Sequence, residues 1–234
     1  MGATLSRFIG LSGLPRSGST LLSSILNQNP LIHAEGNSAV CQLMWDVHNS
    51  FEQNCREQLV ANNRWDTRSK IVSSIFDTYY SNVNRPIIVD KCRSWTLPAN
   101  MQLVKNYLDP KPKIIVLTRN IDEIVKSFAD LHERNNKTFN ESDLFIEGSE
   151  PLMRSLDGVN NAKANNGGEF LFIDYSDLVR YTDDVMVSVY NFCELDYFEH
   201  DLTNIVNAFP EDDSVYGLPG MHEVRLTPCF RQNG

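Results

Sequence analysis

Residues 8–30, FIGLSGLPRSGSTLLSSILNQNP, pass without a break from an apolar strand pattern through a glycine-bracketed turn into a helical pattern. Gly13 is followed by four residues and then by Gly18-Ser19-Thr20. Glycines at such a turn let several backbone N–H groups converge on an anion. The helix that follows, Ser19 to Gln28, adds the positive end of its dipole. This is the outline of a phosphate-binding loop, with one departure. The nucleotide-triphosphatase pattern places a lysine before the Ser/Thr to reach the β- and γ-phosphates, whereas Ser19 stands there and the turn's one cation is Arg16. The loop is therefore expected to hold a phosphate in a different manner.

Two further strand-to-helix junctions carry charged residues. Lys113 to Ser127, KIIVLTRNIDEIVKS, is a β-branched apolar run that ends in Thr118-Arg119-Asn120 and becomes helical near Asp122. Arg119 presents a planar fork suited to a phosphate dianion, and Ser127 lies about two helical turns along on the same side. Pro86 to Lys91, PIIVDK, is a short apolar strand that ends in Asp90-Lys91 and precedes a helix expected over Leu97 to Leu108. Strands near residues 8, 87, 114 and 170, each separated by helical segments, predict an α/β protein. The expected form is a P-loop-like three-layer sandwich, a central parallel sheet flanked by helices, with ligands at the carboxyl ends of the strands.

Pro15-Arg16-Ser17-Gly18-Ser19-Thr20 resembles the 5′-phosphosulfate loop, P-[KR]-S-G-[ST]-[ST], of sulfotransferases that use 3′-phosphoadenosine-5′-phosphosulfate (PAPS). The Pro-Arg-Ser-Gly variant, with a first helix ending in Asn29-Pro30, is most similar to the tyrosylprotein sulfotransferase branch and its bacterial relatives. The resemblance implies that residues 15–20 hold the 5′-phosphosulfate, that Arg119 and Ser127 hold the 3′-phosphate, and that Tyr175, at the end of the strand Phe170 to Asp174, touches the cofactor. It also implies that Lys91, with Arg16, stabilises the departing phosphate, and that no metal is needed. The product would be PAP and the acceptor a hydroxyl of a small molecule, a carbohydrate or a peptide. A late loop of the family supplies one more basic residue, for which Arg225 is the candidate. The acceptor's base is expected at Glu35, two residues before the ungapped family position, which Asn37 occupies; His33 is the reserve.

Two other functions share part of this pattern. One is an ATP- and Mg²⁺-dependent kinase in which Ile87 to Asp90 serves as a Walker-B strand, and the other is a nucleotide-binding module without catalysis. Charge argues against nucleic acid as a partner: residues 1–140 carry 16 Lys/Arg and 12 Asp/Glu, while residues 141–213 carry 3 and 17. The mildly basic half suits an anionic cofactor, and the acidic half shows no basic face for a polynucleotide. That acidity is either a solvated surface or a feature that favours a cationic or neutral acceptor.

At 234 residues the chain is sized for one α/β domain, and no run of about 18 apolar residues is present to span a membrane. The five cysteines are scattered without a CxxC, and the first ten residues lack the apolar core of a signal peptide, so a reduced, cytoplasmic, metal-free protein is expected. Helices are expected over Ser38 to Val60, with Val40, Leu43, Met44, Val47 and Phe51 on one face, and over Asp66 to Ser81, with Ile71, Ile75 and Tyr79 on one face. This aromatic-rich pair is expected to roof the acceptor site. A loop over Asn135 to Ser142, a helix over Glu147 to Asn165 and a helix capped by Thr182 follow. His48 and His132 fall on helices as exposed or packing residues, His200 and His222 lie in no motif, and residues 210–234 form a loop-rich tail.

Overall fold

The seven residues Arg7–Gly13 form β1, the middle strand of a sheet, and all but the first are buried. The computed structural model describes residues 6–224. In chain order the elements after β1 are α1 (Ser19–Leu26), β2 (Ile32–Asn37), α2 (Val40–Gln53), α3 (Arg56–Ala61), α4 (Thr67–Tyr79), β3 (Ile87–Lys91), α5 (Pro98–Tyr107), β4 (Ile114–Thr118), α6 (Ile121–Arg134), α7 (Met153–Ala164), β5 (Phe170–Asp174), α8 (Tyr175–Arg180) and α9 (Thr182–Cys193). The five strands are ordered β2-β3-β1-β4-β5 and every pairing is parallel. Parallel neighbours need crossover connections, and the helices of those crossovers cover both faces.

Alternation along the strands divides the core in two. Phe8, Ile88, Ile114 and Val116 face α2, α4, α5, α6 and α7, while Ile9, Leu11, Val89, Ile115 and Leu117 face α1, α8 and α9. The result is the expected three-layer α/β sandwich. Asn120 caps α6 by accepting from the N–H groups of Asp122 and Glu123 at 2.8 and 3.3 Å, which turns the chain into a helix immediately after β4.

The structure corrects several local expectations. Residues 32–37, to which the sequence pattern assigned no element, form the edge strand β2; buried Ile32 and Ala34 flank His33, and Asn27 pairs with both the N–H and the carbonyl of Ala34. The single helix expected over 38–60 is divided at Asn54 into α2 and α3. On α4 the buried residues are Val72 and Phe76, whereas Ile71 and Tyr79 are 42% and 40% exposed, so the true apolar stripe lies one residue along. Helix α7 begins at Met153 rather than near 147, because Pro151 lacks an N–H and cannot sit inside a helix. A 3₁₀ turn over Glu141–Phe145 begins at the end of the loop expected over Asn135 to Ser142 and runs past it. Thr182 opens α9 without capping it; its buried hydroxyl donates back to the Leu178 carbonyl at 2.7 Å.

Two glycines set the exit from β1. Gly13 has φ 129°, and a Cβ there would lie 2.1 Å from the Leu117 carbonyl oxygen and 2.5 Å from its nitrogen. Gly18, with φ 91°, precedes α1 and leaves room for the Tyr175 ring 2.8 Å from where its Cβ would be. A larger residue would press on the Leu117 backbone at Gly13 and on the Tyr175 ring at Gly18, and both φ values are strained for a residue with a Cβ. Gly13→Ala should cost on the order of 2–4 kcal/mol of stability in urea denaturation. A cost below about 0.5 kcal/mol would show that β1 and β4 can separate there freely.

Candidate active site

A cleft of about 870 Å³ opens at the carboxyl ends of the strands, floored by residues 14–16 and 18–21 and walled by Lys91, Arg93, Arg119, Ser127 and Tyr175. Because α1 starts at the far side of the loop, its first N–H groups have no partners within the helix and point toward the cleft. Arg16 adopts a left-handed backbone, φ 57°, and its side chain is part-buried. Its Nε donates to Ser127 Oγ at 3.1 Å and its Nη1 to the Met221 carbonyl. Arg119 Nη1 donates to the Arg16 carbonyl at 2.8 Å, its Nε to Glu123 Oε2 at 2.9 Å, and its guanidinium lies 4.1 Å from the centre of the Tyr175 ring. The loop, β4, α6 and α8 are thus tied together by two arginines.

Among the cofactor residues expected from the sequence, Pro15, Arg16, Gly18, Ser19, Thr20, Arg119, Ser127 and Tyr175 line this one cleft, as does Lys91. Ser17 does not; it is 1% exposed and donates to the Leu14 carbonyl at 2.6 Å, so it shapes the loop from within. Arg225 lies outside the described residues. Glu35 stands apart, in an adjoining cleft of about 400 Å³ lined also by Gly36, Asn37, Phe209 and Glu211; Asn37 belongs to both clefts. Its Oε2 is 3.1 Å from His33 Nε2. His33 itself is buried between the Tyr80 and Phe209 rings, a packing position.

Asp90 and Lys91 point to opposite sides of β3, as neighbours on a strand must. Asp90 is fully buried in the core and accepts from Tyr80 Oη at 2.8 Å and Trp95 Nε1 at 2.7 Å. Burial pushes its carboxyl up from the ordinary carboxylate range. With both oxygens occupied inside the protein, this aspartate is not placed to hold Mg²⁺ in the cleft, which removes the Walker-B reading. Lys91 faces the cleft but is only 7% exposed, and its Nζ lies 3.8 Å from Glu211 Oε2. Burial is the main cause that lowers its ammonium to about 8, with Arg93 and Arg16 acting in the same direction and Glu211 against it.

The sequence pattern missed the wall built by the chain's last described segment. Glu211 accepts from the Asn37 N–H at 3.3 Å and its carboxylate fills the space that a side chain at Gly36 would need. His222 lines the main cleft, its Nδ1 2.6 Å from Asp213 Oδ1 and 3.2 Å from Glu211 Oε2. No periodicity or spacing marks these residues: Glu211 meets Asn37 of β2 and Lys91 of β3, far earlier in the chain, and His222 meets Glu211 and Asp213 within an irregular segment.

Residues 9–199 match the model of the sulfotransferase family. A Caenorhabditis briggsae protein named as a candidate protein-tyrosine sulfotransferase is 22% identical over 208 residues, 84% of this chain and 69% of that one. Among solved structures, the sulfotransferase domain of the Synechococcus PCC 7002 olefin synthase superposes with TM-score 0.60 at 17% identity, over 98% of this chain and 88% of that one. Mouse sulfotransferase SULT7A1, complexed with PAP, gives TM-score 0.52 at 16% identity, over 83% of this chain and 60% of that one. A phosphate-binding loop with Ser19 at the nucleotide-triphosphatase lysine position and Arg16 as its one cation, on a five-stranded parallel sheet, defines a group-transfer enzyme of the P-loop-like class. The chain belongs to the sulfotransferase family and is a transferase.

Lys91 carries a stability signature that needs no substrate. Its folded value near 8 lies below the ordinary 10.5, so the protonated lysine disfavours the ligand-free fold below about pH 8, and the penalty fades as pH rises to 10.5. Lys91→Met should therefore match or exceed the parent in stability at pH 7 and lose that advantage by pH 10, read by urea denaturation at both values. An advantage that is unchanged with pH would mean that the ammonium is not desolvated.

Proposed function

We propose that the main cleft binds PAPS with the 5′-phosphosulfate on residues 15–20 and the 3′-phosphate against Arg119 and Ser127. The observation that carries this reading is the meeting of Arg16, Lys91 and Arg119 in one cleft over the start of α1. Two arginine forks, a buried ammonium and unpaired helix N–H groups form a donor set for a ligand with phosphates at two places. The Tyr175 ring, stacked on Arg119, supplies a flat wall beside them.

PAPS, when bound, supplies a sulfuryl group on a phosphate that can depart with its bonding electrons. The protein's part is to bind, orient and neutralise. Backbone N–H groups of residues 17–20 and the Arg16 guanidinium hold the phosphate end, and Lys91 places a positive charge where negative charge gathers as the phosphate leaves. Its low exposure makes that charge more effective than a solvated lysine's would be. The acceptor hydroxyl, of a small molecule, carbohydrate or peptide, enters from the side of the smaller cleft, where Asn37 joins the two spaces. Glu35 is one group there that can take its proton. The carboxylates of Glu35 and Glu211 favour a neutral or cationic acceptor over an acidic one.

PAP should raise the melting temperature of the protein well above the shift produced by equal ADP or AMP, since a ligand that binds only the folded state stabilises it. Arg119→Ala should weaken PAP binding by on the order of 2–3 kcal/mol, the scale of a lost charge-assisted bidentate contact, as read by calorimetry. Equal shifts from ADP and PAP, or a shift that requires Mg²⁺, would sink the assignment of the 3′-phosphate.

A further inference from the structure

One wall of the main cleft, formed by Tyr216 and residues 221–224, lines the same space as Lys91 and is left without a role in holding phosphates. Within it His222 is gripped twice by a single carboxylate. Its ring Nδ1 lies 2.6 Å from Asp213 Oδ1, and its backbone N–H donates to Asp213 Oδ2 at 2.9 Å. Glu211 Oε2 is 3.2 Å from the same Nδ1. Two carboxylates at one ring nitrogen keep the proton there, so Nδ1 donates and Nε2 carries the lone pair. Nε2 has no hydrogen-bond partner among the described residues. The side chain is 12% exposed, and its open edge borders the cleft that contains Lys91.

A set tautomer, an available lone pair and a carboxylate behind the ring are the requirements of a general base. We infer that His222, oriented by Asp213, takes the proton of the acceptor hydroxyl. The inference rests on the sulfotransferase reading of the cleft. As the acceptor oxygen bonds to sulfur, its O–H proton passes to Nε2, the bond between sulfur and the departing phosphate oxygen breaks, and that bond's electron pair stays on the phosphate. The imidazolium then returns its proton to solvent. Burial, followed by the Lys91 ammonium, lowers the imidazole below its ordinary 6.5, while Glu211 and Asp213 pull the other way and the Tyr216 ring packs 5.9 Å away. The ring is therefore neutral, and able to accept a proton, at neutral pH. Glu35 lines only the smaller cleft and already has Oε2 bonded to His33.

Two readouts test this. In the ligand-free full chain, ¹⁵N NMR of the histidine ring, assigned by the signal lost in His222→Gln, should show a neutral Nδ1–H tautomer at pH 7, and Asp213→Asn should disturb it. A charged ring, or a neutral ring with its proton on Nε2, would overturn the inference without reference to activity. Turnover of PAPS, followed with 2-naphthol, tyramine and water as acceptors, should fall about 10²-fold in His222→Gln, while its PAP-induced thermal shift stays near the parent's. The loss should exceed that of Glu35→Gln by tenfold or more. The acid limb of the parent's pH–rate profile should disappear in the variant, and imidazole should restore part of the turnover of His222→Gly. Parental turnover by His222→Gln, or a larger loss in Glu35→Gln, would overturn the role of His222. Failure of PAP to stabilise the parent would instead remove the donor assignment beneath it.

Discussion

The close approach of β1 and β4 at Gly13 is the constraint on which the rest of the site depends. The Leu14 N–H donates to the Leu117 carbonyl at 2.9 Å, and the absence of a side chain at Gly13 lets the two backbones come that near. The loop therefore leaves the sheet beside the end of β4 rather than above it. Arg119, two residues past Leu117, then reaches the Arg16 carbonyl, and Ser127 on α6 reaches the Arg16 side chain. A wider separation would leave the loop, the arginines and the start of α1 as separate features instead of the lining of one cleft.

The same sheet resolves two chemistries that look alike in sequence. An apolar strand ending in Asp-Lys is compatible with a magnesium-dependent kinase and with a sulfotransferase. Strand alternation decides between them by sending Asp90 into a core hydrogen-bond pair with Tyr80 and Trp95 and Lys91 into the cleft. The buried carboxyl then serves the packing between β3 and α4, while the ammonium, deprived of water, lines the cleft.

The last described segment brings the opposite charge to this basic floor. Glu211 and Asp213 belong to the acidic part of the chain, and their side chains are 15% and 11% exposed, Glu211 lining the smaller cleft and Asp213 paired with His222 of the main one, rather than lying on a solvated surface. Their partners are Lys91, His222 and the Asn37 N–H, so part of the charge asymmetry along the chain is matched across the site. The tail supports the site as much as it covers it, since Met221 and Pro219 accept from Arg16 and Asn135.

What the sequence by itself determined is whatever depends on neighbours a few residues apart. The strand, loop and helix of residues 8–28, the helix beginning near Asp122, the strand ends bearing Lys91 and Arg119, and the three-layer class all follow from periodicity and glycine placement, which are local properties. The edge strand β2, with only Ile32 and Ala34 as an apolar pattern, became a strand because β3 and Asn27 supply its hydrogen bonds. The stripe of α4 shifted by one residue because α2 and β3 set which face is covered. The position of Glu35 in a side cleft, and that of Glu211, Asp213 and His222 against Lys91, were decided by the tertiary structure alone. Those contacts join ends of the chain that share no repeat or spacing, and only the folded sheet brings them within hydrogen-bond reach.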